Sequence, residues 1–272
     1  MPYVESEHIF QPSKDRTTIW RYLQFEKFVS LVATRCLFFS SARNHIIGDR
    51  YEGVFTDADY MNLHSLEVIG YDALPEKDKQ LFNGKDDFDL RIRLAKEMHE
   101  VAIKLRDNVF MNCWHASRHE SAAMWSIYAK KTQGIAIEST IGNLKKSLNG
   151  DAKEIYIGKV VYIDYSRSEI FKSNILNAYL HKRKFFSYER EIRAIFMDAS
   201  TIGDKEKGMD SLGGHYIDVD LDTLINKIYV SPNSEKWFYN LVNNVINKYG
   251  VKKEVIFSQM VHDPLCIRMK AK

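Results

Sequence analysis

The fold class predicted by this sequence is α+β, with mixed, mainly antiparallel sheets. Three observations point there. Short stretches rich in β-branched and aromatic residues recur along the chain, and amphipathic patterns at helical spacing lie between them. A charged helical block interrupts the series once, predicting a helical insert. The chain closes on a strand-helix-strand pattern. Its 272 residues, 45% of them hydrophobic and 28% charged, suit one large domain with a sizeable core. The 39 Lys and Arg against 36 Asp and Glu leave a net charge of +3, which permits a nucleic-acid partner without arguing for one. No stretch approaches the roughly 18 consecutive apolar residues of a membrane span. Cys36, Cys113 and Cys266 are too few and too scattered for a disulfide framework. The start lacks the basic-then-apolar order of a signal peptide, so a reducing cytoplasm is the expected compartment.

Residues 18–23 alternate as a strand, and Phe25, Phe28, Val29 and Val32 then recur at helical spacing. Residues 37–40 form a second strand, completing an N-terminal unit over residues 18–55. Residues 44–53 are polar and glycine-punctuated, which predicts a loop carrying Asp49 and Glu52. The helical insert spans residues 56–107, with its longest helix at 88–105. The remaining α+β core covers residues 108–260. It opens with a strand at 110–114, and the Ser117-x-x-Glu120 spacing then predicts a capping box and a helix from about Arg118. Lys130 and Lys131 complement the end of that helix, and Gly134 releases the chain into a strand at 135–139. One strand is expected at 155–163 and a helix from about Ser168. Over residues 188–196, period two puts Glu189, Glu191, Arg193 and Ile195 on one face. Residues 227–231, 234–249 and 254–258 make the closing strand-helix-strand, its helix burying Trp237, Phe238, Leu241, Val242, Val245 and Ile246.

The paired carboxylates Glu189 and Glu191 either face solvent or line a cleft. Five basic residues between 182 and 193 (Lys182, Arg183, Lys184, Arg190 and Arg193) favour a cleft that takes a phosphate-bearing substrate. Arg21, between Trp20 and Tyr22, is suited to reach a bound anion. Asp49 and Glu52 are either turn formers or ligands for a ribose or a cation. His115, His119 and Glu120 invite a zinc reading, which the expected capping box weakens. Trp125 and Tyr128 read as core.

Taken in order, several motifs carry a resemblance: residues 19–23 with 37–40, Asp49-Arg50-Tyr51-Glu52-Gly53, Asn112-Cys113-Trp114-His115 with 119–125, and Lys182-Arg183-Lys184-Phe185-Phe186 leading into Glu189-Arg190-Glu191. They resemble the bacterial family catalogued as domain of unknown function 2971, over about residues 18–260. Arg50 stands where that family usually has proline. More distantly, the order of motifs is similar to the ADP-ribosyltransferase superfamily, especially its DNA-modifying toxin branch. That resemblance implies an NAD-consuming transferase in a toxin or phage-defence setting, with a nucleic-acid or protein acceptor. It implies Glu191 and Glu189 as the catalytic pair, and NAD held as substrate among Arg21, Tyr22, Arg118, Arg183, Asn112 and His115. The family's usual Ser-Thr-Ser strand is replaced here by Asn112-Cys113-Trp114.

The chemistry fits such residues, because a carboxylate beside the ribose stabilises the positive charge that develops as the nicotinamide bond breaks. Two other readings stand beside it. One is a metal-dependent nuclease or phosphodiesterase built on Asp49, Glu52, His115 and Glu189. The other is a non-enzymatic accessory protein that binds nucleic acid or protein through its basic 182–193 face.

Overall fold

The computed structural model describes residues 3–5, 14–129, 132–148, 153–170, 174–201 and 213–261. β1 (Thr18–Gln24) runs directly into α1 (Phe25–Thr34), whose Phe28, Leu31 and Val32 are buried. Arg35, in the left-handed region at φ 54°, turns the chain into β2 (Cys36–Ser41). The β2 pleat buries Leu37, Phe39 and Ser41 and leaves Cys36, Phe38 and Ser40 half-buried on its other side. One helical turn, α2 (Ala42–His45), precedes the acidic loop. The charged helical stretch that follows holds α3 (Asp57–Ile69), α4 (Glu76–Lys79) and α5 (Lys85–Lys104), with Thr56 and Asp59 forming a reciprocal capping box at its entrance.

The rest of the chain contains β3 (Val109–Ala116), α6 (Ala122–Tyr128), β4 (Gly134–Thr140), α7 (Ile141–Ser147), β5 (Tyr156–Lys159), β6 (Val161–Ile163), β7 (His181–Arg183) and β8 (Glu191–Met197). It ends with β9 (Gly214–Asp218), α8 (Leu221–Leu224), β10 (Lys227–Val230), α9 (Lys236–Lys248) and β11 (Val255–Phe257). Among the described residues nine strands form one sheet in the order β11-β10-β4-β1-β3-β2-β9, with β8 on β3 and β5 on β8. Its pairings are antiparallel except β10 with β11, where α9 makes the crossover that parallel neighbours require. The fold is therefore α+β with a mainly antiparallel sheet. No helix among the described residues is long and apolar enough to cross a membrane.

The feature that positions the site is a fork at β3. Along one edge β3 pairs with β8 from Val109 to His115. On the other edge β2 holds only Phe110 and Met111, while β1 holds only His115 and Ala116. Between these contacts β1 and β2 diverge, leaving Asn112, Cys113 and Trp114 without a strand partner on that side. Polar groups that a sheet ladder would satisfy must find other partners there. The Asn112 Nδ2 donates to Phe38 O at 2.8 Å, and Arg21 Nη1 donates to Cys113 O at 3.1 Å.

Several expectations need correction. The helix expected from Arg118 begins at Ala122, because Ser121 rather than Ser117 is its cap, accepting from Met124 N. Ser117 instead accepts from His119 N in a local turn, and Glu120 accepts from Trp125 Nε1 and Gln259 N. The single strand at 155–163 is two, β5 and β6, which join different sheets on either side of Val160. The helix from about Ser168 is only a 3-10 segment, Ile175–Tyr179. Trp237 and Leu241 are exposed on α9, at 50% and 36%, so its buried stripe is Phe238, Val242 and Ile246. Lys130, Lys131 and Cys266 lie outside the described residues.

Candidate functional site

The fork opens into a cavity of about 720 Å³ lined by β1, α1, β2, β3, α6 and the turn that leads into β8. Its walls include Arg21, Tyr22, Ser40, His45, Cys113, His115, Tyr128, Lys182, Glu189 and Glu191. Arg21 and both candidate catalytic carboxylates thus share one cavity.

The carboxylates converge by a route different from the one the pleat predicts. Glu189 lies not in β8 but at the end of a 3-10 turn, and Arg190 adopts a left-handed conformation (φ 44°) before β8 starts at Glu191. Both carboxylates nevertheless reach Lys182 Nζ, Glu189 Oε2 at 2.5 Å and Glu191 Oε2 at 3.4 Å. Tyr128 donates to the other Glu189 oxygen at 2.9 Å. Arg193, fully buried, donates Nη2 to Glu191 Oε2 at 2.8 Å and forks onto Glu52, Nη1 to Oε1 at 2.5 Å and Nη2 to Oε2 at 2.9 Å. Glu52, also fully buried, is therefore neither a solvated turn former nor a free ligand. Asp49 is held in the same manner by Arg183, Nη2 to Oδ1 at 2.7 Å, with that guanidinium lying over the Tyr51 ring.

Burial alone would raise the Glu191 carboxyl, but Arg193 and Lys182 outweigh it and hold it at about 2. Burial lowers Lys182, and the charges of Glu191, Glu52 and Glu189 together more than restore it, so the ammonium stays charged. Among the described residues the ion pairs of Glu52, Glu189 and Glu191 run to Lys182 and Arg193, three carboxylates to two cations and so a formal surplus of one negative charge in these pairs. Such a pocket favours a partner or a transition state that carries positive charge. Arg21 behaves differently. Burial lowers its guanidinium to about 10, and its contacts are the Cys113 carbonyl and the Trp114 ring, 5.9 Å away, rather than a carboxylate. A guanidinium desolvated without an acidic partner is suited to an anion entering the cavity.

Some sequence candidates have structural work instead. Asn112 is buried between Phe38 O and Trp114 Nε1, which donates to its Oδ1 at 2.8 Å, and it does not line the cavity. Arg118 is exposed on the turn before α6, and Arg183 is committed to Asp49, so neither lines it. Tyr22 lines the cavity while its hydroxyl accepts from Ser121 N at 2.8 Å and caps the approach to α6. His115 lines it too, with Nδ1 2.6 Å from Glu189 O, fixing the turn that carries that carboxylate.

Tyr128, expected in the core, is 41% exposed and projects at the cavity wall, whereas Trp125 is buried as expected. The basic 182–193 run is not one face: Lys182 and Arg193 point inward onto carboxylates, and Lys184 and Arg190 are exposed. Among the described residues no group of three His, Cys, Asp or Glu is arranged to hold a metal, and Asp49, Glu52 and Glu189 are already engaged by cations. Ser40 and His45, within the cavity, carry no motif that spacing could have flagged.

Residues 124–194 match the family model described as "Protein of unknown function (DUF2971)". The segment runs from α6 to β8 and includes Tyr128, Lys182, Glu189, Glu191 and Arg193, but not Arg21 or Glu52. No curated protein and no solved structure matches the chain.

Proposed function

We propose that the fork cavity binds NAD and that the protein is an ADP-ribosyltransferase-like enzyme; residues 124–194, which match the DUF2971 family model, supply the Glu189 and Glu191 carboxylates of that cavity. One observation carries the reading: a guanidinium free of carboxylates, Arg21, and the charge-surplus carboxylate cluster of Glu191 and Glu189 face one cavity. Its volume lies within the roughly 300–1,000 Å³ of small-molecule sites. Arg21 holds the pyrophosphate. Glu191, ionised at all ordinary pH, lies against the ribose and stabilises the positive charge that develops there. Lys182 keeps both carboxylates in register, and Tyr128 fixes the second oxygen of Glu189, which orients the acceptor.

The test is nicotinamide release. Wild type incubated with NAD is expected to release nicotinamide, and Glu191→Gln to do so at least about 100-fold more slowly, with a thermal melt recorded beside each assay. Wild type that releases none, with or without nucleic acid or lysate as acceptor, sinks the reading.

A further inference from the structure

We propose that Ser40 and His45 form a nucleophile–base pair in the fork cavity, and that the Ser40 hydroxyl accepts the sugar carbon of the bound nucleotide. The Ser40 Oγ lies 2.7 Å from His45 Nε2, and both side chains line the cavity that holds Arg21, Lys182 and Glu191. Local structure creates the pair. The β2 pleat turns Ser40 to the cavity side while Phe39 and Ser41 enter the core. The chain then makes a single helical turn, α2, that ends on His45 and carries the imidazole back over the end of the strand.

Electrostatics suit proton transfer in this direction. Burial lowers the His45 imidazole below its ordinary value, which favours the neutral ring, and in the tautomer with the proton on Nδ1 its Nε2 accepts the serine proton. The imidazolium that results is also accommodated. Glu52 and Glu191 act on His45 in favour of its charged form and offset the opposing charges of Arg193 and Lys182. A nucleophile beside a neutral base, with the base facing compensating negative charge, is the arrangement that activates a serine hydroxyl.

The inference rests on the NAD reading above. In the step, the bond from Ser40 Oγ to the ribose C1′ forms and the bond from C1′ to the nicotinamide nitrogen breaks. Nicotinamide leaves as a neutral molecule with the electron pair, and the hydroxyl proton passes to His45 Nε2 and then to solvent. No oxidant or reductant is needed.

The experiment incubates the full chain with NAD, measures nicotinamide release, and maps the mass gain by peptide mass spectrometry. One ADP-ribosyl group is expected on the peptide containing Ser40 in wild type and none in Ser40→Ala. The rate should fall at least about 100-fold in His45→Gln. Added imidazole should restore modification in His45→Ala, a response that a packing role for the ring would not show. Release of nicotinamide without a Ser40 adduct overturns the pair and leaves the NAD reading standing. An adduct whose rate is unaffected by His45→Gln, or one that imidazole does not rescue in His45→Ala, also overturns it. Wild type that releases no nicotinamide overturns both.

Discussion

Glu191 couples the chemistry of the cavity to the stability of the protein, because its carboxylate is the joint between Arg193 and Lys182. Its folded value of about 2 lies below its ordinary 4.5, so the ionised carboxylate contributes stability that is fully present above 4.5 and is lost as pH falls through about 2. Urea unfolding of wild type between about pH 5 and pH 2 should therefore show falling stability. Glu191→Gln, which takes up no proton there, should show a smaller fall over the same window. At neutral pH the variant should be less stable by about 3 kcal/mol, the linkage equivalent of the depression from 4.5 to about 2, while Lys182 keeps Glu189 and Arg193 keeps Glu52. A variant with an unchanged acid profile would mean that Arg193 and Lys182 do not hold the group as the distances indicate. The residue scale is also where the sequence was most and least informative. The carboxylate pair and its basic neighbours stand within a dozen residues and could be read directly. The partner that makes Arg193 a buried hub, Glu52, is 141 positions away, and no local pattern records that pairing.

Among the elements, the acidic loop shows how tightly the insert is joined to the sheet. Gly53 follows Glu52 in the left-handed region at φ +70°, and a Cβ there would meet the Tyr179 ring at 2.3 Å. Tyr179 is fully buried and its hydroxyl donates to Ala102 O of α5 at 2.5 Å, so the ring has no room to yield. Gly70, at the end of α3, shares the positive φ (+71°) but has nothing within 4 Å. Gly70→Ala, at φ 71° and ψ 157°, should therefore cost only the backbone term, about 1–3 kcal/mol, whereas Gly53→Ala should cost clearly more, in thermal or urea unfolding. Equal losses would show that the ring contact is not rigid. Strands with an uninterrupted apolar or alternating pattern, such as β1, β2, β3 and β4, were legible from sequence because burial itself sets that pattern. The start of α6 was not. Ser117 and Ser121 offer the same local chemistry, and the choice falls to tertiary partners, since Glu120 is drawn to Trp125 Nε1 and Gln259 N. Arg190 likewise misled the period-two reading, because a left-handed residue detaches Glu189 from the pleat while keeping it on Lys182.

At the scale of the whole molecule, the fork at β3 brings together what the sequence keeps apart. Arg21 comes from β1, Ser40 and His45 from β2 and the turn after it, Tyr128 from α6, and Lys182, Glu189 and Glu191 from the strands and turn leading into β8. The surplus negative charge of the carboxylate cluster and the positive charge of Arg21 thus occupy different walls of one cavity, and a ligand with an anionic body and a group that becomes cationic matches both. Arg21 is the wall that can be altered without disturbing the buried cluster, since no carboxylate depends on it. Arg21→Met removes the donor to Cys113 O and should lower the melting temperature modestly, while weakening NAD binding by about tenfold or more, equivalent to about 1.4 kcal/mol. Arg21→Lys should recover part of the loss, because a point charge replaces the bidentate fork. Titration calorimetry on the two variants, with inorganic pyrophosphate as a second ligand, separates recognition of the anion from recognition of the nucleotide. If the pyrophosphate reading of Arg21 is right, both ligands weaken together in Arg21→Met; undiminished affinity for either would remove Arg21 from the site.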